Sequence, residues 1–186
     1  MATIDEIMKN PIHHVKFRAD LFDPLSVSNL LQECSVLDVK ISTLTSRVGV
    51  IFDLRTSIFL GDGNTALLIV GETRSIEWIE EESSVNRTGR VEVDGRNQRS
   101  HLHTSMGSTP RRGNDRFDIE IPCNPRSVLK ISGGWAVFIE GNVDSIGESQ
   151  PDLGLDTDEF IEAGFPQWSS VLNPTYATST IRSRSN

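Results

Sequence analysis

Cysteine is scarce in this chain of 186 residues, which contains only two. Cys34 and Cys123 lie far apart, and neither belongs to a Cys-x-x-Cys pair, so the sequence matches neither a zinc ribbon nor a thioredoxin-like redox site. Isolated cysteines of this kind are typical of small buried apolar side chains in a reducing compartment. We therefore expect two buried free thiols.

Long hydrophobic runs are also missing. No stretch of eighteen apolar residues occurs, and the first residues, Met1 to Glu6, lack the positive charge and apolar run of a signal peptide. These absences predict a soluble cytoplasmic protein that does not associate with a membrane.

The common catalytic motifs are absent as well. The sequence has no Gly-x-Ser-x-Gly elbow and no phosphate-binding loop that ends in Gly-Lys. The pair Gly61 and Gly63 lacks the third glycine of a dinucleotide-binding turn and continues into an apolar strand instead of a helix. We therefore expect no cofactor, and a binding protein is favoured over an enzyme.

Acidic residues dominate the charge. Twenty-six Asp and Glu against eighteen Lys and Arg give a formal net charge of −8. A surface of this sign repels nucleic acid and anionic lipid and attracts basic proteins. The composition predicts a basic protein partner and makes nucleic acid an unlikely one.

What the sequence does contain is apolar alternation with a period of two, which is typical of strands. Seven segments show this pattern or a short apolar run between turns: 37–42, 48–54, 65–70, 74–80, 117–121, 128–131 and 135–140. The first four of them predict a meander. The fold class expected is α+β and rich in strands, with one antiparallel sheet system of about eight strands that forms a sandwich or half-open barrel.

Two short helices are predicted beside the sheet. Asp23 and Pro24 resemble a helix start and precede apolar residues at helical spacing, which indicates a helix near residues 24–34. Asp156 and Glu159 resemble a capping box, and Gly164 a stop signal, for a helix near 157–163.

The chain is expected to form one domain over residues 1–186, with a mobile loop at 83–115 and a flexible tail after about residue 175. The loop and its boundary carry seven arginines against three acids over residues 87–116. The arginines either fold onto the protein's own acidic residues, remain solvated, bind an acidic partner or contact phosphates. They are Arg87, Arg90, Arg96, Arg99, Arg111, Arg112 and Arg116.

A run of acids in the C-terminal part is the stronger candidate for docking a basic partner. Seven acids follow one another without any Lys or Arg: Asp144, Glu148, Asp152, Asp156, Asp158, Glu159 and Glu162. Such a field steers association, and a nearby aromatic side chain such as Trp168 supplies an apolar anchor. The alternative is that these acids form a solvated face with no binding role. The competing docking site is the arginine loop at Arg111 and Arg112.

The four histidines fall into the pairs His13-His14 and His101-Leu102-His103. In an extended segment, His101 and His103 point to the same side, a geometry that two metal ligands use. No third ligand stands at a recognisable spacing, and solvated loop histidines are the alternative. The enzyme hypothesis that remains is a small hydrolase that uses histidine and carboxylate residues.

One part of the sequence resembles a known class of proteins. The stretch Val48-Gly49-Val50-Ile51-Phe52-Asp53-Leu54-Arg55, followed by Gly63-Asn64-Thr65-Ala66 and ending in Trp78, is similar to uncharacterised small bacterial proteins of immunity-protein type. The resemblance covers about a third of the chain and contains no catalytic residues. It implies a non-catalytic inhibitor of immunity type, for which the acidic charge predicts a basic partner protein.

Overall fold

The computed structural model describes residues 2–11, 22–61, 63–80, 102–124 and 126–181. Within these ranges the chain forms eleven strands and two short helices. The helices are α1 (Ile4–Lys9) and α2 (Asp158–Ala163). The strands are β1 (Ala2–Thr3), β2 (Ser35–Ser42), β3 (Arg47–Asp53), β4 (Thr65–Gly71), β5 (Ser75–Glu80), β6 (His103–Ser105), β7 (Thr109–Arg112), β8 (Phe117–Asn124), β9 (Ser127–Gly133), β10 (Trp135–Asn142) and β11 (Val171–Ser179).

The strands form one curled antiparallel sheet in the order β1-β11-β10-β4-β3-β2-β6-β8-β9-β5, and β7 pairs with β8. The sheet closes only partly, as a half-barrel, which confirms the predicted fold class. No helix of the described residues is long and apolar enough to cross a membrane.

The central strands are buried on both faces, so they carry nearly continuous apolar runs instead of strict alternation. Val48, Val50 and Phe52 of β3 point into the core inside the curl. Ile51 of β3 and Ile69 of β4 point into a second core on the outer side of the sheet. The sheet is therefore the middle layer between two cores.

Helix α1 covers the outer core. It begins with a capping box, in which the Thr3 hydroxyl accepts a hydrogen bond from the Glu6 amide at 3.2 Å and the Glu6 carboxylate accepts one from the Thr3 amide at 2.8 Å. Ile4, Ile7 and Met8 are buried. The sequence pattern had not predicted this helix.

The helix expected near residues 24–34 does not form, so this prediction is wrong. Asp23 does begin a turn, since its carboxylate accepts a hydrogen bond from the Leu25 amide at 2.9 Å. Asn29 and Glu33 then adopt positive φ angles of 66° and 63°. Their amides donate to the carbonyls of Ser108 and Ser105, so contacts with distant residues replace the helical hydrogen bonds. The helix expected near 157–163 is α2.

The predicted four-stranded meander is wrong in its last strand. β2, β3 and β4 are neighbours, but β5 leaves them and pairs with β9. The connection after β4 turns away because Glu72 has a φ of 51°, and the Arg74 amide then donates to the carbonyl of Ser132 at 2.8 Å. Because β5 pairs with β9 and not with its predicted neighbours, a cleft lies between β2 and β5.

Two segments expected to lack structure contain strands. Residues 102–115, the last part of the predicted loop, include β6 and β7, both of which pair with β8. The tail forms β11 as far as Ser179, because its backbone pairs with β10. Residues 81–101 and 182–186, and with them Arg87, Arg90, Arg96 and Arg99, lie outside the described residues.

Candidate functional site

The predicted acidic run is held to the end of β3 by one arginine. The Arg55 guanidinium donates to the carbonyls of Gly147 and Ser149 at 3.0 and 2.6 Å and to that of Gly164 at 2.8 Å. The same guanidinium pairs with the buried carboxylate of Asp53 at 2.6 Å. The segment that carries the acids is therefore fixed to the sheet at both of its ends.

Several acids of the run stabilise local turns. The Asp152 carboxylate accepts hydrogen bonds from the amides of Gly154 and Leu155, and its own amide donates to Asp156 at 2.7 Å. Asp158 and Glu159 occupy the first turn of α2, where negative charge is favourable. These four acids stabilise the local structure of the segment.

Trp168 is positioned by three contacts. Its indole Nε1–H donates to Asp38 Oδ2 at 2.6 Å, and the Lys40 ammonium lies 5.3 Å from the ring centroid. The ring also lies against the backbone of Gly49, where an added Cβ would come within 2.8 Å of it. The predicted apolar anchor is therefore half-buried and held in one orientation.

Trp168 forms one wall of a cavity of about 690 Å³, which we call the Trp168 hollow. Of the predicted docking residues, the structure brings Glu162 and Trp168 together here. The lining includes the carboxylates of Asp38 and Glu162, and none of its residues that the structure describes is a Lys or Arg. The lining residues are Val36, Leu37, Asp38, Leu102, His103, Leu153, Ile161, Glu162, Phe165, Pro166, Gln167, Trp168 and Ser169.

A second cavity, of about 470 Å³, lies in the cleft between β2 and β5. We call it the Trp78 hollow. Its lining is mainly apolar, and Trp78 is 37% exposed on its wall. The sequence analysis missed this hollow because it depends on β5 leaving the meander. The lining residues are Val36, Leu37, Asp38, Val39, Ile41, Ile76, Trp78, His103 and Leu129.

The two hollows meet at one edge of β2. They share Val36, Leu37, Asp38 and His103 in their linings. Beyond Val36, no described strand pairs with β2 on the side opposite β3. The Val39 amide donates to the carboxylate of the neighbouring Asp38 at 2.7 Å. A backbone edge thus runs between an acidic hollow and an apolar one.

The described arginines of the predicted loop lie on the β7–β8 hairpin. Arg112 pairs with Asp23 at 3.0 Å and Arg116 with Asp118 at 2.6 Å, so both neutralise acids outside the acidic run. Arg111 lines a cleft of about 260 Å³ whose charges of both signs are balanced. Although burial opposes the effect, hydrogen bonds from Ser132 and Arg116 lower the pKa of Asp118. This cleft offers an acidic partner little free positive charge.

His103 lies at the junction of the two hollows. Its Nδ1 is 3.0 Å from Ser127 Oγ, and its ring meets the Trp78 ring edge-on at a centroid distance of 4.7 Å. The other predicted ligand, His101, and the pair His13-His14 lie outside the described residues. Among the residues that the structure describes, no three His, Cys, Asp or Glu side chains form a group able to hold a metal ion.

Both cysteines are buried free thiols, as the sequence predicts. Burial raises the pKa of Cys34 to about 12 and that of Cys123 to about 11. Because the thiolate is the nucleophile and the metal ligand, neither side chain has the character of a reactive cysteine.

Comparison with known proteins yields little. No family model matches the chain, and no curated protein matches it. A solved structure described as that of an uncharacterized protein from Neisseria gonorrhoeae is similar with a TM-score of 0.40 and 10% sequence identity, over 60% of this chain and 96% of that one.

Proposed function

We propose that this chain is a non-catalytic protein-binding domain, an immunity-type inhibitor that captures a basic partner protein at the Trp168 hollow. One observation carries the proposal. Trp168 is fixed by Asp38 on the wall of a cavity whose described lining contains two carboxylates and neither lysine nor arginine.

The arrangement has the two parts that a protein-binding site needs. Carboxylates at the rim steer a basic partner and select it, and a half-buried aromatic ring contributes most of the contact energy once the water is displaced. Phe165 and Pro166 extend the apolar floor beside Trp168. The formal net charge of −8 also attracts a basic partner, over a longer distance than the two carboxylates do.

The site is also held in place before a partner arrives. Arg55 fixes the segment that carries Glu162, and the Asp38 carboxylate fixes Trp168. A surface that is ordered before binding loses less entropy on association, so its contacts contribute more fully to affinity. Preorganisation of this kind suits a tight inhibitor.

The test starts from the genomic neighbour of the coding gene. We expect the adjacent reading frame to encode a basic protein that is toxic when expressed alone and harmless when this chain is expressed with it. Glu162→Lys should weaken protection. Glu77→Lys is the matched control, because Glu77 is an exposed acid that lines the charged cleft and neither hollow. Neighbours that encode metabolic enzymes, or toxicity that persists in the presence of the wild-type chain, would contradict the proposal.

The alternative function, a small hydrolase, has one observation in its favour. The contact of 3.0 Å between His103 and Ser127 has the spacing of a base and a nucleophile. However, Ser127 is only 3% exposed, so a substrate does not reach its hydroxyl unless the hairpin formed by β8 and β9 moves. A fluorophosphonate reagent separates the two functions: a covalent adduct on Ser127 that His103→Gln abolishes would favour the hydrolase, and an unlabelled chain would favour the binding protein.

A further inference from the structure

We propose that the basic partner docks by adding an extended segment to the open edge of β2, so that it becomes an extra strand along residues 37–42. This inference rests on the proposed function and deepens it, because it defines the conformation and the side-chain pattern of the segment that is bound. Strand addition draws its affinity from main-chain hydrogen bonds and its specificity from pockets for alternate side chains.

The first step is the open edge itself. β2 pairs with β3 from Ser35 to Ser42, with one register shift between Val36 and Asp38, but with β6 only at Ser35 and Val36. In the part of the chain that the structure describes, residues 37–42 have no strand partner on the second side. An edge of this length is a template for another strand.

The backbone amides and carbonyls of β2 alternate in direction along the strand. The Val39 amide donates to the carboxylate of Asp38 at 2.7 Å, a contact that indicates an amide facing the edge opposite β3. Since the backbone groups of successive residues point to opposite sides of a strand, Ile41 should present its amide and carbonyl to the same open edge as Val39. Side chains alternate independently between the two faces of the sheet.

The two faces of the sheet at this edge open onto different hollows. Val39 and Ile41 point to the Trp78 hollow, together with Ile76 of β5 and Leu129 of β9. Asp38 contributes its carboxylate to the Trp168 hollow, together with Glu162. A strand added between them places alternate side chains in the two hollows. The hollows therefore select a segment in which apolar residues alternate with lysine or arginine.

The lysine of β2 does not block this edge. Natural edge strands are commonly blocked by a lysine that points into the pairing region. The lysine of β2, Lys40, instead forms an ion pair with Asp5 of α1 and lies over the Trp168 ring. The described pairing of β2 with β6 ends at Val36, next to a register shift between Val36 and Asp38 in the pairing of β2 with β3.

Charge decides between the occupants. A second copy of this chain carries a net charge of −8 and would bring its own acids against Asp38 and Glu162. Like charges that face each other across an interface are unfavourable, whereas a basic segment neutralises both carboxylates. The occupant proposed is therefore a basic segment of another protein.

The test uses a defined probe, an acetylated octapeptide of four Lys-Val repeats, titrated into the complete 15N-labelled chain. We expect saturable binding with a dissociation constant below about 1 mM and with the largest amide shifts at residues 37–42. Two N-methylated isomers provide the matched pair, one methylated at the lysine amides and the other at the valine amides. In an added strand only one set of peptide amides, that of the lysines or that of the valines, faces β2. Methylation of that set should weaken binding by at least about tenfold, and methylation of the other set by much less.

Several outcomes would overturn the inference. They are shifts centred away from β2, no saturable binding, and equal affinities of the parent peptide and both isomers. Sedimentation that shows a dimer closed through β2 would identify a second copy as the occupant. Binding that appears only after residues 83–99 are replaced by a Gly-Ser linker would identify the chain itself. If the genomic neighbour is still inhibited in a manner sensitive to Glu162→Lys, the proposed function survives while strand addition fails.

Discussion

Arg55 and Asp53 form an ion pair that is almost fully removed from solvent, with side chains that are 4% and 0% exposed. Both carboxylate oxygens accept from the Arg55 Nε–H, at 3.0 and 3.1 Å, and Oδ2 also accepts from Nη2 at 2.6 Å. The remaining guanidinium hydrogens bond to three backbone carbonyls of the C-terminal segment. One buried pair thus connects β3 to the wall of the Trp168 hollow.

Arg55→Ala should destabilise the chain strongly. Removing one partner leaves the Asp53 carboxylate buried without its counter-ion, which typically costs about 3–5 kcal/mol in the free energy of unfolding. Urea denaturation followed by circular dichroism measures this change. The matched control is Arg116→Ala, because Arg116 pairs with Asp118 at the surface with a side chain that is 59% exposed, and such pairs contribute about 0–1 kcal/mol. Equal losses in the two variants would show that burial of the Arg55 pair contributes nothing.

Gly133→Ala should also destabilise the fold, because Gly133 lies where β9 passes close to the end of β4. A Cβ at Gly133 would lie 2.5 Å from a methyl group of Val70 and 2.6 Å from the carbonyl oxygen of Gly71. Relief of this overlap requires the two strands to separate, at a cost of about 1–3 kcal/mol. Thermal unfolding measures the loss. Gly61→Ala is the control, since an added Cβ there meets no atom within 4 Å. A Gly133 variant as stable as the Gly61 variant would mean that the strands separate freely.

Local patterns predict the strands well and their neighbours poorly. Residues such as Val50 and Ile119 alternate or cluster with the period of a strand, and the structure has strands at all seven predicted segments. The pairing of β5 with β9 joins residues 47 to 57 positions apart in the chain, and no local pattern encodes contacts at that distance. The docking site divides in the same way: Glu162 and Trp168 were predicted from charge and aromatic character, whereas the Trp78 hollow follows from the crossing of β5.

Cys34 and Cys123 should be inert in the native state. Their pKa values of about 12 and 11 keep both thiols protonated at pH 8, and burial blocks access to a reagent. Ellman's reagent at pH 8 should therefore react with neither thiol in the folded chain. It should react with both thiols after the chain is unfolded in about 6 M guanidinium chloride. Rapid reaction of one thiol in the native protein would show local opening at that position, and Cys34→Ala and Cys123→Ala would identify which one.

The acids that line the Trp168 hollow should control the rate at which a basic ligand associates, and the other acids of the run should matter less. Glu162→Lys reverses a charge on the wall of the hollow, whereas Asp158 and Glu159 lie on α2 outside its lining. With the Lys-Val octapeptide as ligand, stopped-flow tryptophan fluorescence should show slower association for Glu162→Lys than for the double reversal of Asp158 and Glu159.

The difference should shrink as salt is raised above about 0.1 M, where the screening length falls to about 10 Å. Glu77→Lys changes the net charge by the same amount as Glu162→Lys but acts in the charged cleft, so it reports the effect of net charge alone. If Glu77→Lys slows association as much as Glu162→Lys, the overall charge and not the hollow attracts the ligand. If Arg112→Ala abolishes binding while Glu162→Lys has no effect, the β7–β8 hairpin is the docking surface.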